Sequence, residues 1–514
     1  GRWHDTEAYF NDTWKFSKRV TLNLGVRWSR YGQPYSDNDR ISNFIPRLYD
    51  GTDPASGLVN PDNQGFNRAL TENHNLYFQP RVGIAWDIKG DGKTALRLGG
   101  GRYLSRSNVT NVLLMGVNPP WTKSVAFGWG GGSTSLSDDP TSRSLDTISP
   151  GLANASVGIN AATNLNAVAE DFRPPESWQW NLTLSREILP NTVVEASYVG
   201  NRGLHLWRRV NWNEVVPSAR LTVAQAVLSG DPDANAIINA NRRLVGVGRI
   251  RMSESTGNSF YHGLQIWLNR RFSNRLAFQA AYTWSHNISD VPVQSYAAFD
   301  IATSDAFNYR LDRGDADLDR RHTFVANAVY ALPRFKNLGA IGSAILGDWQ
   351  LNGIASFFTG TPLNVLSGAN AAGQGIAGGQ RPNLVPGVPI YLNDPNRPLQ
   401  YLNPAAFALP APGQLGNLGA GVIRRPGISN IDFSINKNWR MRERFNIQFR
   451  AEMFNVFNHP NFAISALDDP GENRLSFGQL MGDPNFGVPT NGSFGQLTRT
   501  RGSREIQFGL KFSF

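Results

Sequence analysis

Apolar and polar residues alternate in short blocks along this chain. Val20, Leu22, Leu24, Val26 and Trp28 interleave with Thr21, Asn23, Gly25 and Arg27. Leu276, Phe278, Ala280, Tyr282 and Trp284 interleave with Ala277, Gln279, Ala281 and Thr283. Phe445, Ile447, Phe449, Ala451 and Met453 do so with Asn446, Gln448, Arg450 and Glu452, and Ile506, Phe508, Leu510, Phe512 and Phe514 with Glu505, Gln507, Gly509, Lys511 and Ser513. A period of two sends successive side chains to opposite faces of a strand, here one greasy and one rich in amides and charges. A dry core has no place for Arg450 and Glu452, whereas a water-filled lumen does. About ten tilted residues cross a bilayer as a strand. In the terminal strand the opposite register would turn Glu505 and Lys511 toward lipid, at up to about 2–4 kcal/mol per charge near the midplane. Taken alone, that strand also suits the edge of a soluble sandwich, so the connections have to decide.

The pattern predicts thirteen strands, at 7–15, 20–30, 77–88, 94–104, 176–188, 192–200, 259–272, 276–285, 322–332, 348–359, 428–438, 445–457 and 505–514. Between them, short connections (16–19, 89–93, 189–191, 273–275, 333–347, 439–444) alternate with long ones (31–76, 105–175, 201–258, 286–321, 360–427, 458–504). Trimmed turns on one side and large loops on the other are the plan of outer-membrane barrels, which keep turns in the periplasm and loops outside. A soluble domain seldom carries six loops of this length. The expected fold is therefore an all-β, transmembrane antiparallel barrel whose last strand runs inward. The 333–347 turn is the one that runs long. Trp28, Trp178, Trp180 and Trp284 fall at the loop-side ends of strands, and Trp14, Trp86, Trp349 and Trp439 at the turn-side ends, as two interfacial belts would have it.

Bacterial barrels have even strand numbers, and the plugged class has about 22 strands. Thirteen strands thus predict a fragment in which strand 7–15 is the tenth and runs inward. Gly1 is not an initiator Met and no leader follows it. Residues 1–514 are read as the C-terminal portion of the barrel, with plug and N-terminal domains lying elsewhere.

Composition adjusts this picture at a few points. Mean hydropathy is −0.34. The sequence has no apolar run long enough for a transmembrane helix, which leaves a barrel open. Gly 51, Trp 14, Tyr 14 and Phe 29 suit turn-rich, aromatic-rich β structure, and Cys 0 removes disulfides, thiolate metal sites and cysteine nucleophiles. The net charge of +10 is scattered, without the basic cluster and stacking aromatics of a nucleic-acid binder, and only eight of the 50 basic residues are Lys.

Motifs of chemistry fail on spacing. Gly90-Asp-Gly-Lys-Thr94 ends like a phosphate loop, but Asp87 stands where the first glycine belongs, so Asp91-Gly92 reads as a hairpin turn. Asp315-Ala-Asp-Leu-Asp319 starts like a calcium loop, but Arg320 and Ala326 occupy the glycine and glutamate positions. It reads instead as a charged loop end pairing with Arg313, Arg320 and Arg321. The seven histidines are dispersed, and neither an HExxH pair nor a Gly-x-Ser-x-Gly elbow occurs. No enzyme and no cofactor or metal is expected. The low-complexity segment 368–380 reads as a mobile loop tip. Trp121 and Trp129, on a glycine-rich loop, are candidates for stacking on a planar ligand, with loop self-packing as the competing reading.

Several motifs occur in a fixed order: Asp319-Arg-Arg-His322, Asn403-Pro-Ala-Ala-Phe407, Arg424-Arg-Pro-Gly427, Asn430-Ile-Asp-Phe433, Ala451-Glu-Met-Phe-Asn-Val-Phe-Asn-His-Pro460, Phe494-Gly-Gln-Leu497 and Glu505–Phe514. With them the chain resembles the barrel of TonB-dependent outer-membrane receptors of the Oar-like group. The resemblance implies a 22-strand barrel holding a plug, and an N-terminal segment that engages the energy-transducing protein TonB. It also implies uptake of a nutrient ligand, such as an oligosaccharide or a chelate, across the cell outer membrane. Plug, TonB-contacting segment and early strands are absent from this sequence, so active transport is an expectation for a larger protein. The alternatives are a passive porin-like channel, a surface adhesin, or a soluble carbohydrate-active protein.

On this reading Arg27, Arg97, Gln279, Gln448, Arg450 and Glu452 line the lumen, and Tyr35, Trp121, Trp129, Tyr296 and Tyr391 present aromatic rings on the loops. Phe508, Leu510, Phe512 and Phe514 form the C-terminal signal for the barrel-assembly machinery. The expected partners are outer-membrane lipid, TonB through the N-terminal region, and that machinery; nucleic acid is not among them.

Overall fold

The computed structural model describes residues 2–513, except 64, 75, 107–113, 122–162, 292–302, 336, 338, 376–379, 442–444, 464–476, 478–480, 482, 485, 490–491 and 493. Thirteen long strands form one antiparallel meander in which each pairs with the next in sequence. They are β1 (Asp5–Lys15), β2 (Val20–Tyr31), β3 (Tyr77–Asp87), β4 (Thr94–Leu104), β5 (Glu176–Leu189), β6 (Thr192–Asn211), β7 (Ile250–Ser273), β8 (Leu276–Ser289), β9 (His322–Ala331), β10 (Trp349–Phe358), β11 (Ile428–Met441), β12 (Phe445–Phe454) and β13 (Glu505–Ser513). All thirteen coincide with the alternating blocks. Among the described residues β1 and β13 keep their outer edges unpaired.

The register carries the two faces across the whole sheet. Leu24 stands opposite Val82, Leu98 opposite Leu182, Ile266 opposite Tyr282, and Phe449 opposite Leu510. All eight belt tryptophans fall on this apolar face, at the two ends anticipated: Trp14 opposes Leu22, Trp180 opposes Gly200, Trp284 opposes Leu264, and Trp349 opposes Lys437. Charges on the apolar face sit toward strand ends, with Asp12, Arg186, Arg270 and Lys437 near the turns and Arg102 and Arg202 near the loops. There the arginines can carry their heads to water, whereas Lys437 is buried.

Among the described residues, the middle of the apolar face has no protein over it. Leu24, Val82, Leu182, Ile266, Trp284 and Ile506 are exposed, and Phe508 is 74% exposed. A bare apolar patch of this extent has no place in water, at about 25 cal/mol per Å² of surface. Hydrocarbon removes that cost, and a hydrogen-bonded sheet leaves few backbone groups in need of water. Ile354 and Trp267 are exposed too, but the register places them on the polar face.

The buried core lies in the long connections. One cluster joins Leu363, Val365, Phe407 and Ile423 to Phe477 and Phe494, and a second joins Ile41, Ile45 and Leu70 to Met115, Val168 and Phe172. A third gathers Phe44, Leu165, Val210, Val247 and Ile250, and a fourth Val215, Val223 and Ile238. Together they build a folded cap over the loop-side end of the sheet. β6 and β7 run on into this cap beyond their expected bounds, and Leu165–Val168 adds to β7 in parallel. Helices α1 (Arg220–Ser229) and α2 (Ala234–Ala240) belong to the cap too.

The described part of the segment expected to be mobile, 368–375 and 380, is instead packed into the cap, with Ala369, Ala371, Ala372, Gln374 and Gln380 buried, and 376–379 lie outside the described residues. Its small residues have a steric reason. At Gly373, φ is +68° and a Cβ would meet the Arg220 carbonyl oxygen at 2.0 Å. The turn at Asp91-Gly92 forms as read, with the Asp87 carboxylate accepting from the N–H groups of Gly90 (2.8 Å) and Gly92 (2.9 Å). The long turn at 332–348 contains helix α3 (Gly339–Leu346).

Candidate functional site

The alternation places Arg27, Arg97, Gln279, Gln448, Arg450 and Glu452 on the polar face, and the cross-strand register agrees for each. Arg27 is paired with Glu7, whose other oxygen accepts from Ser29 Oγ and Tyr31 OH at 3.0 Å. Arg97 donates to Ser185 Oγ (3.0 Å) and Glu195 Oε2 (3.2 Å), and Ser185 itself donates to Glu195 at 2.7 Å. Gln279 accepts from Asn327 at 3.5 Å. Arg450 donates to Gln448 at 2.9 Å, and Gln507 donates to Glu452 at 2.5 Å. Of the six, only Gln448 and Arg450 touch each other. The others pair with Glu7, Glu195, Asn327 and Gln507, which the same period-two rule marks on an adjacent strand or, for Glu195, on the strand beyond it.

A further stretch of this face was not singled out from sequence. Asn11, Asn23, Asn181 and Gln179, with Arg81 and Tyr103, border a groove whose floor is opened by Gly83 and Gly99. Those glycines leave space that the amides cover: a Cβ on Gly99 would meet Asn181 Oδ1 at 2.6 Å.

The loop aromatics lie apart. Tyr35 sits beside a groove of about 480 Å³ with His4, Arg30, Asn67 and Arg68, its hydroxyl 3.3 Å from His4 Nε2 and the Arg68 guanidinium 4.6 Å from its ring centre. Trp121 donates from Nε1 to the Ile41 carbonyl at 3.1 Å, which fixes it to the neighbouring loop. Tyr391 packs 5.1 Å from Tyr401, and its hydroxyl accepts from the Arg424 N–H at 2.8 Å. Trp129, Tyr296 and Phe514 lie outside the described residues. Among the described residues, no hydrogen bond or ring contact joins Tyr35, Trp121 and Tyr391.

Two ionic lattices, the first part-buried and the second buried, hold the cap. In the first, Asp315 accepts from Arg321 (3.0 Å), lies 2.7 Å from His286 Nε2, and is also paired with Arg424. Arg424 reaches Asp319 Oδ2 at 2.6 Å and the carbonyls of Asp319 and Gly360 at 3.2 and 3.3 Å. The Asp315 pairing expected with Arg313, Arg320 and Arg321 is therefore corrected. Arg321 takes part, but the second cation is Arg424, while Arg320 donates to the Thr359 carbonyl at 3.0 Å. Burial opposes ionisation of Asp315, but His286, Arg321 and Arg424 outweigh it and hold the carboxyl below its usual range. This lattice ties the Asp319-Arg-Arg-His322 and Arg424-Arg-Pro-Gly427 motifs into one joint.

In the second lattice Arg220 pairs with Asp305 at 2.7 Å, and Glu214 accepts from the Ala306 N–H (3.2 Å) and Gln374 Nε2 (3.3 Å). Arg381 donates to Asp312 at 3.0 Å and to the Leu418 carbonyl at 2.8 Å. Burial pushes the Glu214 carboxyl up to about 8. An acid with a raised folded pKa binds more protons folded than unfolded. The cap therefore loses stability as pH rises from 4.5 towards 8. Hydrogen exchange in residues 212–249 and 303–321, corrected for intrinsic rates and compared at about pH 6 and pH 9, should accelerate at the higher pH and do so far less in Glu214→Gln. Equal acceleration in both proteins would remove Glu214 from the cause.

These lattices are structural joints; they do not place a nucleophile beside a base. Among the described residues no group of three or more His, Asp or Glu side chains is disposed to hold a metal ion.

A family model described as "Outer membrane beta barrel domain" matches residues 1–507. The chain is similar to the TonB-dependent transporter Oar of Myxococcus xanthus, with 22% identity over 556 residues that cover 99% of this chain and 42% of that protein. It thus spans less than half the length of that curated relative. Among solved structures it is similar to the outer membrane transporter YddB from Escherichia coli, with TM-score 0.47, 10% identity, and coverage of 99% of this chain and 45% of that one. It is also similar to the siderophore receptor PiuA from Acinetobacter baumannii, with TM-score 0.43, 8% identity, and coverage of 99% and 43%.

Proposed function

Because the chain belongs to the outer membrane β-barrel domain family, we propose that it forms the wall and the ligand-capturing loops of a TonB-dependent receptor that imports a nutrient. It resides in the cell outer membrane, and its curated relative is a transporter and not an enzyme. One observation supports the transport reading above the rest: a sheet with one face bare and apolar carries charged and amide side chains along the other, beneath a folded loop cap. The cap faces the extracellular side and meets the ligand first. Energy delivered through TonB, by an N-terminal region outside this sequence, then moves a plug, and the ligand passes along the polar face. The open edges of β1 and β13 are where further strands complete a barrel of about 22. Phe508, Leu510, Phe512 and Phe514 present the last strand to the barrel-assembly machinery.

Siderophore, vitamin, oligosaccharide and peptide remain the candidate ligands. Uptake of a panel of these by cells lacking the gene, against the parent strain, identifies the class. Loss of that uptake when TonB is deleted or the proton gradient is collapsed supports the receptor. Uptake that persists under both treatments identifies a passive channel instead. In the receptor, Tyr35→Ala is expected to weaken ligand binding by about tenfold or more if its ring is an anchor. Unaltered affinity would remove it from the site.

A further inference from the structure

The connection 332–348 differs from every other turn on its side of the sheet. It contains an eight-residue helix, α3, and residues 337–347 carry no charged side chain. Ile341 is 78% exposed, and Ile345 and Leu346 are exposed beside it. Ile341 and Ile345 are four residues apart and therefore share one helix face. No protein covers that face among the described residues.

The other side of α3 is tied to the lipid-facing wall. Lys437 falls on the apolar face opposite Trp349 and Phe449, where an uncompensated ammonium group would be costly. It is only 2% exposed. Its Nζ donates to the carbonyls of Ile345 (2.9 Å) and Gly347 (2.6 Å), at the C-terminal end of α3. Trp349 Nε1 donates to the Ile345 carbonyl at 2.9 Å, and Trp439 Nε1 to that of Ala344 at 3.1 Å. The ammonium also lies 5.2 and 5.3 Å from the ring centres of Trp349 and Trp439. The last carbonyls of a helix lack intrahelical partners and carry partial negative charge. Here one cation and two indoles of the turn-side aromatic belt satisfy them. The helix is thereby held at the level of the membrane interface, continuous with the face that contacts lipid.

We propose that α3 is a membrane-surface element that buries Ile341, Ile345 and Leu346 in the turn-side leaflet, with phospholipid acyl chains as its partner. In the orientation proposed above that leaflet is the periplasmic one. Burial of such an uncharged, exposed apolar helix beside the lipid-facing wall is favourable at this depth, where its ends stay wet. The helix braces the rim at β10 and β11 against the bilayer and shields Lys437 from hydrocarbon.

This chain contributes no cysteine, so single nitroxide labels can be placed in it once any cysteine elsewhere in the whole protein is replaced by serine. The experiment uses the whole protein in vesicles of phosphatidylethanolamine and phosphatidylglycerol. Ile341→Cys and Ile345→Cys are compared with Ile266→Cys on the wall and Asp62→Cys on an exposed loop. The expected result is that labels at 341 and 345 collide with oxygen in preference to a water-soluble nickel chelate, as the label at 266 does. Lys437→Ala should shift the 345 label toward the chelate while the 266 label is unchanged. A preference for the chelate at 341 and 345, matching the loop label, overturns the proposal, and so does an unshifted 345 label in Lys437→Ala for the tie that positions the helix. The readout is depth and not transport, so it can fail while the receptor reading stands.

Discussion

Ile266→Arg should abolish accumulation of the protein in the outer membrane, whereas Gln265→Arg, one residue away, should leave it largely intact. Ile266 lies on the apolar face between Ala196 and Tyr282, and Gln265 on the polar face between Ser197 and Thr283. A cation facing lipid at the midplane costs about 2–4 kcal/mol, which is roughly thirty- to several-hundred-fold in an equilibrium. The same cation on the wet face costs little. Outer-membrane fractionation, with the mobility difference between unheated and boiled samples as the test of folding, reads both variants. Equal behaviour of the two would mean that the faces have been assigned wrongly, and would overturn the wall itself.

Removing Arg424 should have the next largest effect, confined to the cap. Asp319 is 1% exposed and Asp315 is half-buried, and both direct oxygens at this guanidinium. Arg424→Met leaves them short of their main partner, and breaking a buried pair from one side typically costs about 3–5 kcal/mol. The loop 359–427 also loses its bonds from Arg424 to the Asp319 and Gly360 carbonyls. Protease should then cut within 359–427 at concentrations that spare the parent protein, while the strands remain folded. Adding Asp319→Asn should recover part of the resistance by removing the stranded charge. Cap resistance unchanged in Arg424→Met would show that the lattice is not what holds it. Because Asp315 ionises below its usual range, its contribution is present above 3.8 and is lost as pH falls through the lowered value.

The wall was legible in the sequence because its order is local. Period two needs only neighbouring residues, and each strand is paired with the next, so blocks such as Val20–Trp28 and Phe445–Met453 announce both their place and their faces. The extensions of β6 and β7 were not legible. Arg208 and Arg209, fully buried in the cap, break the expected alternation, and the register slips around Gly257. The cap itself depends on pairs far apart in the chain, such as Arg220 with Asp305 and Arg381 with Asp312. Composition misled at 368–375, where small residues serve close packing and not freedom. The long turn at 333–347 was visible as an irregularity, but its helix finds its meaning only against Lys437 and two tryptophans on β10 and β11.

The greasy clusters above the wall are shared property. Ile41 and Leu70 come from one connection and Met115, Val168 and Phe172 from the next, while Phe477 and Phe494 close over Leu363 and Phe407 from another. Exchanging one such segment for a relative's would strip its neighbours of their cover. New recognition specificities are thus expected to arise by point changes on the outer skin of the cap, or by transplanting adjoining segments as a set.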